Sequence, residues 1–259
     1  MASCTCTLTN ANTGTPNKQP IEKVGKKIYL QQLIADDGTV NEIDCAGTLD
    51  QAALDALINN ADDSKRLYPL PLIDNIEDVR ADAILETLNS GQNIKVQDGT
   101  RTFTGVIVSQ GPVFLGQLEN WSCGKFGAYA IDDCGAMIGN GATAGKLRPI
   151  RIDERNWNPQ LVKSTDTTVQ KVALNFEWAR TEKDSSLRML TAEDWTDADL
   201  LGAEGLLDIT GTASAITTTG FTMAITTLYG SCATPVVVPG LVLGDFSLFN
   251  VTDSLTARS

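Results

Sequence analysis

Adjacent acids such as Asp36-Asp37, Asp62-Asp63, Asp132-Asp133 and Asp153-Glu154 are the residues of this chain that could do chemistry. Two carboxyls held together can divide acid and base roles when burial splits their pKa values. Most of these pairs sit in expected turns, where aspartate is favoured because its side chain bonds the nearby backbone. The turn reading therefore outweighs the catalytic one. A further acidic group, Asp74, Glu77 and Asp78 with Arg80, lacks the glycine and the alternating ligand spacing of a calcium loop. It reads as an exposed loop.

The chain has no histidine. That removes His-based triads, imidazole bases and histidine metal ligands at one stroke. The six cysteines, at 4, 6, 45, 123, 134 and 232, contain no CxxC pair, and Cys4-Thr5-Cys6 alone does not supply zinc-finger spacing. The opening MASCTCTLTNANTG lacks the apolar stretch of a signal peptide, so the thiols are expected to be reduced and cytosolic. Trp121, Trp157, Trp178 and Trp195 could stack on sugars. Trp178 falls on the apolar side of a strand, which favours core packing. Trp157, in RNWNP, is the best exposed candidate, as a sugar platform or an interface anchor. No catalytic, cofactor-binding or metal-binding residue is assigned, and the chain is expected not to be an enzyme.

The net charge of −12 repels phosphate backbones unless a basic patch is segregated on one face. The basic clusters, Lys23/Lys26/Lys27 and Arg148/Arg151/Arg155, are short and read as solvated surface or subunit contacts. No apolar run approaches the roughly 18 residues that a membrane span needs. Asn120-Trp121-Ser122 and Asn250-Val251-Thr252 match the glycosylation pattern, which acts only along a secretory route.

The elements that position these groups are mostly strands. Residues 1–25 read as a polar N-terminal arm, and 26–35 as the first strand, ended by Asp36-Asp37-Gly38. Leu49–Asn59 reads as a helix, with Leu49, Ala52, Ala53, Ala56 and Leu57 on its apolar side and a Thr48/Gln51 capping box. Residues 67–80 read as a proline-broken loop with an edge-strand element. Asn89-Ser90-Gly91 is a turn, and 92–109 reads as a β-hairpin with Asp98-Gly99 at its tip. A short helix follows, with Val113, Phe114, Leu118 and Trp121 at helical offsets and Leu115 beside them, packed on a sheet.

Further strands are expected at 125–131, 147–152 and 167–180. The last has Val172, Leu174, Phe176 and Trp178 on one face, and Val169, Lys171, Ala173 and Asn175 on the other. Residues 192–201 suggest a final helix capped by Thr191. From about Gly205 the composition becomes nearly uncharged, which marks a small β-rich C-terminal module over 205–259. It is Ig-like at best, because a seven-stranded sandwich takes about 100 residues. The fold class is thus mainly β: a β-sandwich domain over 26–204 with short flanking helices, and the C-terminal module.

The succession RLYPLPLIDNIEDVRADAILETLNSGQ, DGTRTFTGVIVSQGPVFLGQLENW and KFGAYAIDDCGAMIG resembles the major tail or tail tube proteins of tailed bacteriophages. The shared features are an acidic loop, a hairpin, a short helix and a further strand, followed by a long strand. The resemblance implies a virion structural protein, assembled in the host cytoplasm, that forms stacked and commonly hexameric rings. It implies inner strands joined in a closed β-barrel, contacts with other tail proteins, and DNA passing through the lumen without specific binding. Bridging between rings would fall to the arm 1–25, the loop 60–80 and the loop 139–147. An acidic lumen suits such a conduit, since it lets DNA slide. The alternatives are a capsid decoration protein or other virion protein with an Ig-like domain, and a carbohydrate-binding β module.

Overall fold

A computed structural model describes residues 23–207, 209–215, 220–227 and 236–238, with the side chain of Cys123 excepted. It also gives the backbone of Thr5–Thr7 paired with Lys18–Pro20, and of Leu248–Phe249 paired with Ala257–Arg258. Most of the expected arm over 1–25 lies outside the described residues. The chain divides into two compact units, Met1–Leu206 and Leu207–Ser259. The fold is mainly β with two short α-helices, and no sheet closes into a barrel.

The first unit opens with β1 (Gly25–Gln32), whose centre is buried on both faces. Helix α1 (Gln51–Ile58) follows, with the Asp50 carboxylate accepting from Ala53 N at 2.8 Å. Asp50, rather than Thr48, is therefore the cap. Leu54 and Ile58 are the residues that α1 buries, whereas Ala52 and Ala56 are exposed. Apolar residues surround so much of this short helix that their spacing could not fix its phase.

The proline-rich stretch yields β2 (Tyr68–Pro69) and β3 (Asp74–Arg80), so most of the expected loop is built into sheets. Next come β4 (Ile84–Thr87), β5 (Asn93–Gln97) and β6 (Arg101–Val108). Here the expected hairpin is corrected. Strand β5 pairs with β4 around Asn89-Ser90-Gly91, while β6 pairs with β3 in the register Arg80↔Arg101. Residues 74–108 therefore make one long hairpin whose distal part, 84–97, is a two-stranded ribbon. Asp98-Gly99 lies at the base of the ribbon. A Cβ on Gly99 would stand 1.9 Å from the Ala81 carbonyl oxygen, and Ala81 N donates to Thr100 O there. Glycine is chosen at this position for close approach rather than for a hairpin tip.

Helix α2 (Pro112–Glu119) starts with proline in its first turn and buries Phe114 and Leu118, as the spacing predicts. Then come β7 (Phe126–Asp132), β8 (Met137–Asn140), β9 (Ile150–Arg151), β10 (Asn158–Val162), β11 (Lys171–Glu177) and β12 (Leu187–Leu190). The expected helix over 192–201 is absent; the segment is a series of turns. Asp194 accepts from Thr191 N at 2.7 Å, Thr196 N is drawn off to Leu49 O, and Asp197 has a φ of 54°. Those bonds satisfy the backbone locally and leave no helical ladder to propagate.

Two sheets face each other. One has the order β12-β8-β7-β1-β2, with β9 also paired to β7; the other is antiparallel β10-β11-β6-β3. Between them lies the main core, where Phe103, Phe126, Trp157, Phe176 and Trp178 pack with Ile28, Leu30, Val172 and Leu174. Phe176 is stacked on Phe103 at 4.7 Å and edge-on to Trp178 at 5.0 Å. A second core covers the far side of the first sheet. Tyr29, Tyr129 and Met137 pack there against Leu54 and Ile58 of α1 and against Trp195 and Leu200. The strap after β12 is tied down by Tyr29 Oη donating to Leu200 O, and by Lys27 Nζ donating to Leu201 O and Ala203 O. Among the described residues of the first unit, no comparable core covers the far side of the four-stranded sheet.

The second unit contains β13 (Thr210–Ser214), β14 (Thr222–Thr227) and β15 (Val236–Val237) in one antiparallel sheet. Among its described residues only Ile225 is a buried hydrophobic. These strands lie within the expected β-rich C-terminal module over 205–259, much of which is outside the described residues.

Candidate functional site

Each acid pair resolves into local structure. Asp37 accepts from Thr39 N at 2.9 Å and pairs with Lys65 at 2.5 Å, which holds its carboxyl below the ordinary range. Asp62 accepts from Ser64 N and Oγ at 3.1 and 2.6 Å, with the same effect on its pKa. Asp153 accepts from Arg155 N at 3.2 Å across a short 3₁₀ turn, and Glu154 faces Arg151 at 3.6 Å.

Asp132 is the buried one. Its Oδ1 accepts from Cys134 N at 3.0 Å and Ala136 N at 2.8 Å, and its Oδ2 from Lys23 N at 3.1 Å. Asp132, Asp133 and Cys134 place potential ligand atoms within 4.8 Å of one another. Cys134, however, is disulfide-bonded, so its sulfur is no thiolate, and Asp132 is already spent on three N–H groups. The group locks a turn rather than presenting a cation site. The disulfide also corrects the expectation of reduced thiols; the partner sulfur lies outside the described residues. Cys45 is free and half-buried, with its thiol pKa raised first by burial.

Of the loop acids, Asp78 is partnered. Asp78 takes a two-pronged bond from Arg101 at 2.6 and 2.8 Å and accepts from Trp178 Nε1 at 3.2 Å. Arg80 grips Asp184 at 2.8 Å. The basic clusters do not form a patch. Lys27 is buried under the strap, which lowers its pKa by desolvation, and Arg148 binds Glu42 at 3.0 Å.

The tryptophans go to the interior. Trp157 is 6% exposed, with its Nε1 donating to Leu118 O at 2.7 Å. This corrects its reading as the best exposed candidate. The motif RNWNP gave no signal of the α2 carbonyl waiting for that N–H. Trp178 packs in the core as its strand position predicts. Trp195 is also buried, and Trp121 is half-buried between Tyr68 at 5.1 Å and Phe126 at 5.2 Å.

Two unspent surfaces remain. The uncovered face of the four-stranded sheet presents Thr102, Thr104, Val106 and Val108 from β6, Lys171, Ala173, Asn175 and Glu177 from β11, and Glu77 and Val79 from β3. The second is the ribbon, where Ile84, Leu85, Leu88, Ile94 and Val96 are all exposed, by 39 to 60%. Sequence reasoning missed it because no alternation of burial exists there to be read. Five large apolar residues within thirteen were the available signal. Parts of the segments 60–80 and 139–147, expected to bridge copies, are paired in sheets: Asp74–Arg80 in β3, Asn140 in β8, and Lys146–Leu147 with Ile43–Asp44. Among the described residues no helix is long and apolar enough to cross a membrane. Comparison with protein-family models, curated proteins and solved structures finds no match.

Proposed function

We propose that this chain is a self-assembling structural subunit of a tailed-phage virion, of the tail tube kind, whose copies form stacked rings around a DNA conduit. The observation that carries this reading is the ribbon 84–97, a projecting element with large apolar side chains in water on a sandwich whose acids and tryptophans serve turns and core. An exposed apolar patch of this size marks an interaction surface rather than a reaction centre. The uncovered sheet face fits a bore. It sets Glu77 and Glu177 against the single cation Lys171, among threonines, asparagine and small apolar residues, and a net-acidic lining lets DNA slide. No cofactor and no catalytic residue enter this reading.

Negative-stain electron microscopy of the purified chain across a concentration series tests it. Rings or hollow tubes are the expected result. Single particles that bind a phage capsid lattice would replace it with a decoration role. A bore that proves basic would overturn the conduit.

A further inference from the structure

We infer that the ribbon 84–97 of one copy docks on the opposite end of the four-stranded sheet of a second copy. The inference rests on the self-assembling reading above. The sheet has two apolar ends. At one, β3 and β6 finish their pairing at Arg80↔Arg101 and the ribbon continues outward. At the other, seven residues along β6 or about 23 Å away, four valines gather. Val162, Lys171 and Val108 lie in one cross-strand row. Ser109 N donates to Gln170 O, and Gln170 Nε2 donates to Gln110 O, which brings Val169 and the start of α2, with Val113, to the same end. Val108, Val113, Val162 and Val169 are 37 to 62% exposed.

Backbone pairing holds the ribbon, but no buried face shields its apolar side chains from water. A two-stranded ribbon alone is marginal, and its side chains between 84 and 96 are exposed on both faces. Its own ion pair, Lys95 with Asp98, is internally neutral. Glu86, directly across from Ile94, has no ion-pair partner among the described residues. At the valine end Lys163 and Lys171 are likewise without one among the described residues, and Lys163 follows Val162 directly. The two ends thus match in apolar character and oppose in charge. Because they differ from each other, the contact is head to tail, and it repeats from copy to copy instead of closing a symmetric pair.

Sedimentation velocity on the full chain, over a concentration series, tests the contact with Ile94→Asp at the ribbon and Val169→Asp at the valine end. Both positions are solvent-exposed, so the core of the sandwich is unperturbed; circular dichroism on each variant checks that it folds, and Ile94→Thr, which adds no charge opposite Glu86, repeats the ribbon test. Wild type grows with concentration. Each variant alone associates about tenfold more weakly, the cost of losing one central contact. An equimolar mixture sediments faster than either, because the intact ribbon of one meets the intact valine end of the other. Glu86→Lys weakens association, and adding Lys163→Glu to the same chain restores it. Loss of association by Ile94→Asp with none by Val169→Asp would mean ribbon pairs with ribbon and overturns the inference. Wild-type association in both variants overturns it while leaving self-assembly standing. A wild type that stays monomeric throughout overturns both.

Discussion

Trp157→Ala puts the packing of the sandwich to a quantitative test. The side chain is 6% exposed, edge-on to Phe126 at 5.1 Å and tilted on Phe176 at 5.4 Å. Truncating a buried tryptophan to alanine costs about 3–5 kcal/mol in lost transfer energy and cavity. Its Nε1 also donates to Leu118 O in the last turn of α2, a carbonyl that accepts from Asn120 N as well, and losing one such hydrogen bond costs about 1 kcal/mol. The two losses overlap, so a net of about 4–6 kcal/mol is expected. That is a large share of the 5–15 kcal/mol typical of whole domains. With a urea m-value of about 2 kcal/mol/M, the unfolding midpoint of the first unit should fall by about 2–3 M, followed by circular dichroism at a concentration where the chain stays dissociated. Trp157→Phe keeps much of the ring packing and loses only the N–H, so its cost should be about 1–2 kcal/mol. A loss below about 1 kcal/mol for the alanine variant would refute the reasoning. It would place the indole in solvent rather than in the core.

Other perturbations follow from the same geometry. Burial raises the pKa of Tyr29 and Tyr129 above the ordinary 10.0, so an absorbance titration should show these phenols staying protonated above pH 10 until the chain unfolds. Because the unfolded chain ionises first there, stability falls as pH rises past 10. Lys27 has the opposite sign. Its pKa lies below 10.5 through burial, so the unfolded chain holds that proton longer and stability gains as pH climbs through the folded pKa towards 10.5. Urea midpoints between pH 7 and 10 should show this gain in wild type and lose it in Lys27→Met. Asp132→Asn replaces a charged acceptor of three backbone N–H groups and should cost about 1–3 kcal/mol by urea denaturation; an unchanged midpoint would remove Asp132 from its role in the turn. Replacing 82–98 by a two-residue Asn-Gly turn should leave stability within about 1 kcal/mol, since exposed side chains contribute little, while abolishing concentration-dependent sedimentation.

The parts of the fold that were legible in sequence are those where one face is buried and the other wet. Alternation in β11 picked out Val172, Leu174, Phe176 and Trp178, and helical spacing picked out Phe114 and Leu118; all are buried. Where burial does not alternate, the sequence carried less. The ribbon has no buried face, so Asp98-Gly99 drew the hairpin to the wrong place, and pairing of β3 with β6 across a twenty-residue excursion had no local signature. The turns at 191–201 have apolar residues at helical intervals, yet Trp195 and Leu200 are set by a long-range pairing, Thr196 N to Leu49 O. Trp157 was misread for a similar reason: its partner is thirty-nine residues away. The acid pairs were legible because an aspartate in a turn answers to its immediate neighbours.

The free edge formed by β10 sets a limit on how copies of this chain meet while crowded and still unassembled. Trp178 N bonds Arg101 O, and Ser109 N bonds Gln170 O. That phase turns the even-numbered residues of β11 towards β6 and the odd-numbered ones towards β10. Pro159, opposite Leu174, therefore faces outward, at a place where a stray strand would look for an N–H. Proline has none to give, and within Asn158–Val162 the edge offers only the Leu161 donor. A passing chain finds a foothold one bond long, so strand-by-strand zippering has nothing to propagate along. On the proposed reading of a self-assembling subunit, contact between copies is then left to the ribbon and the valine end rather than to this edge.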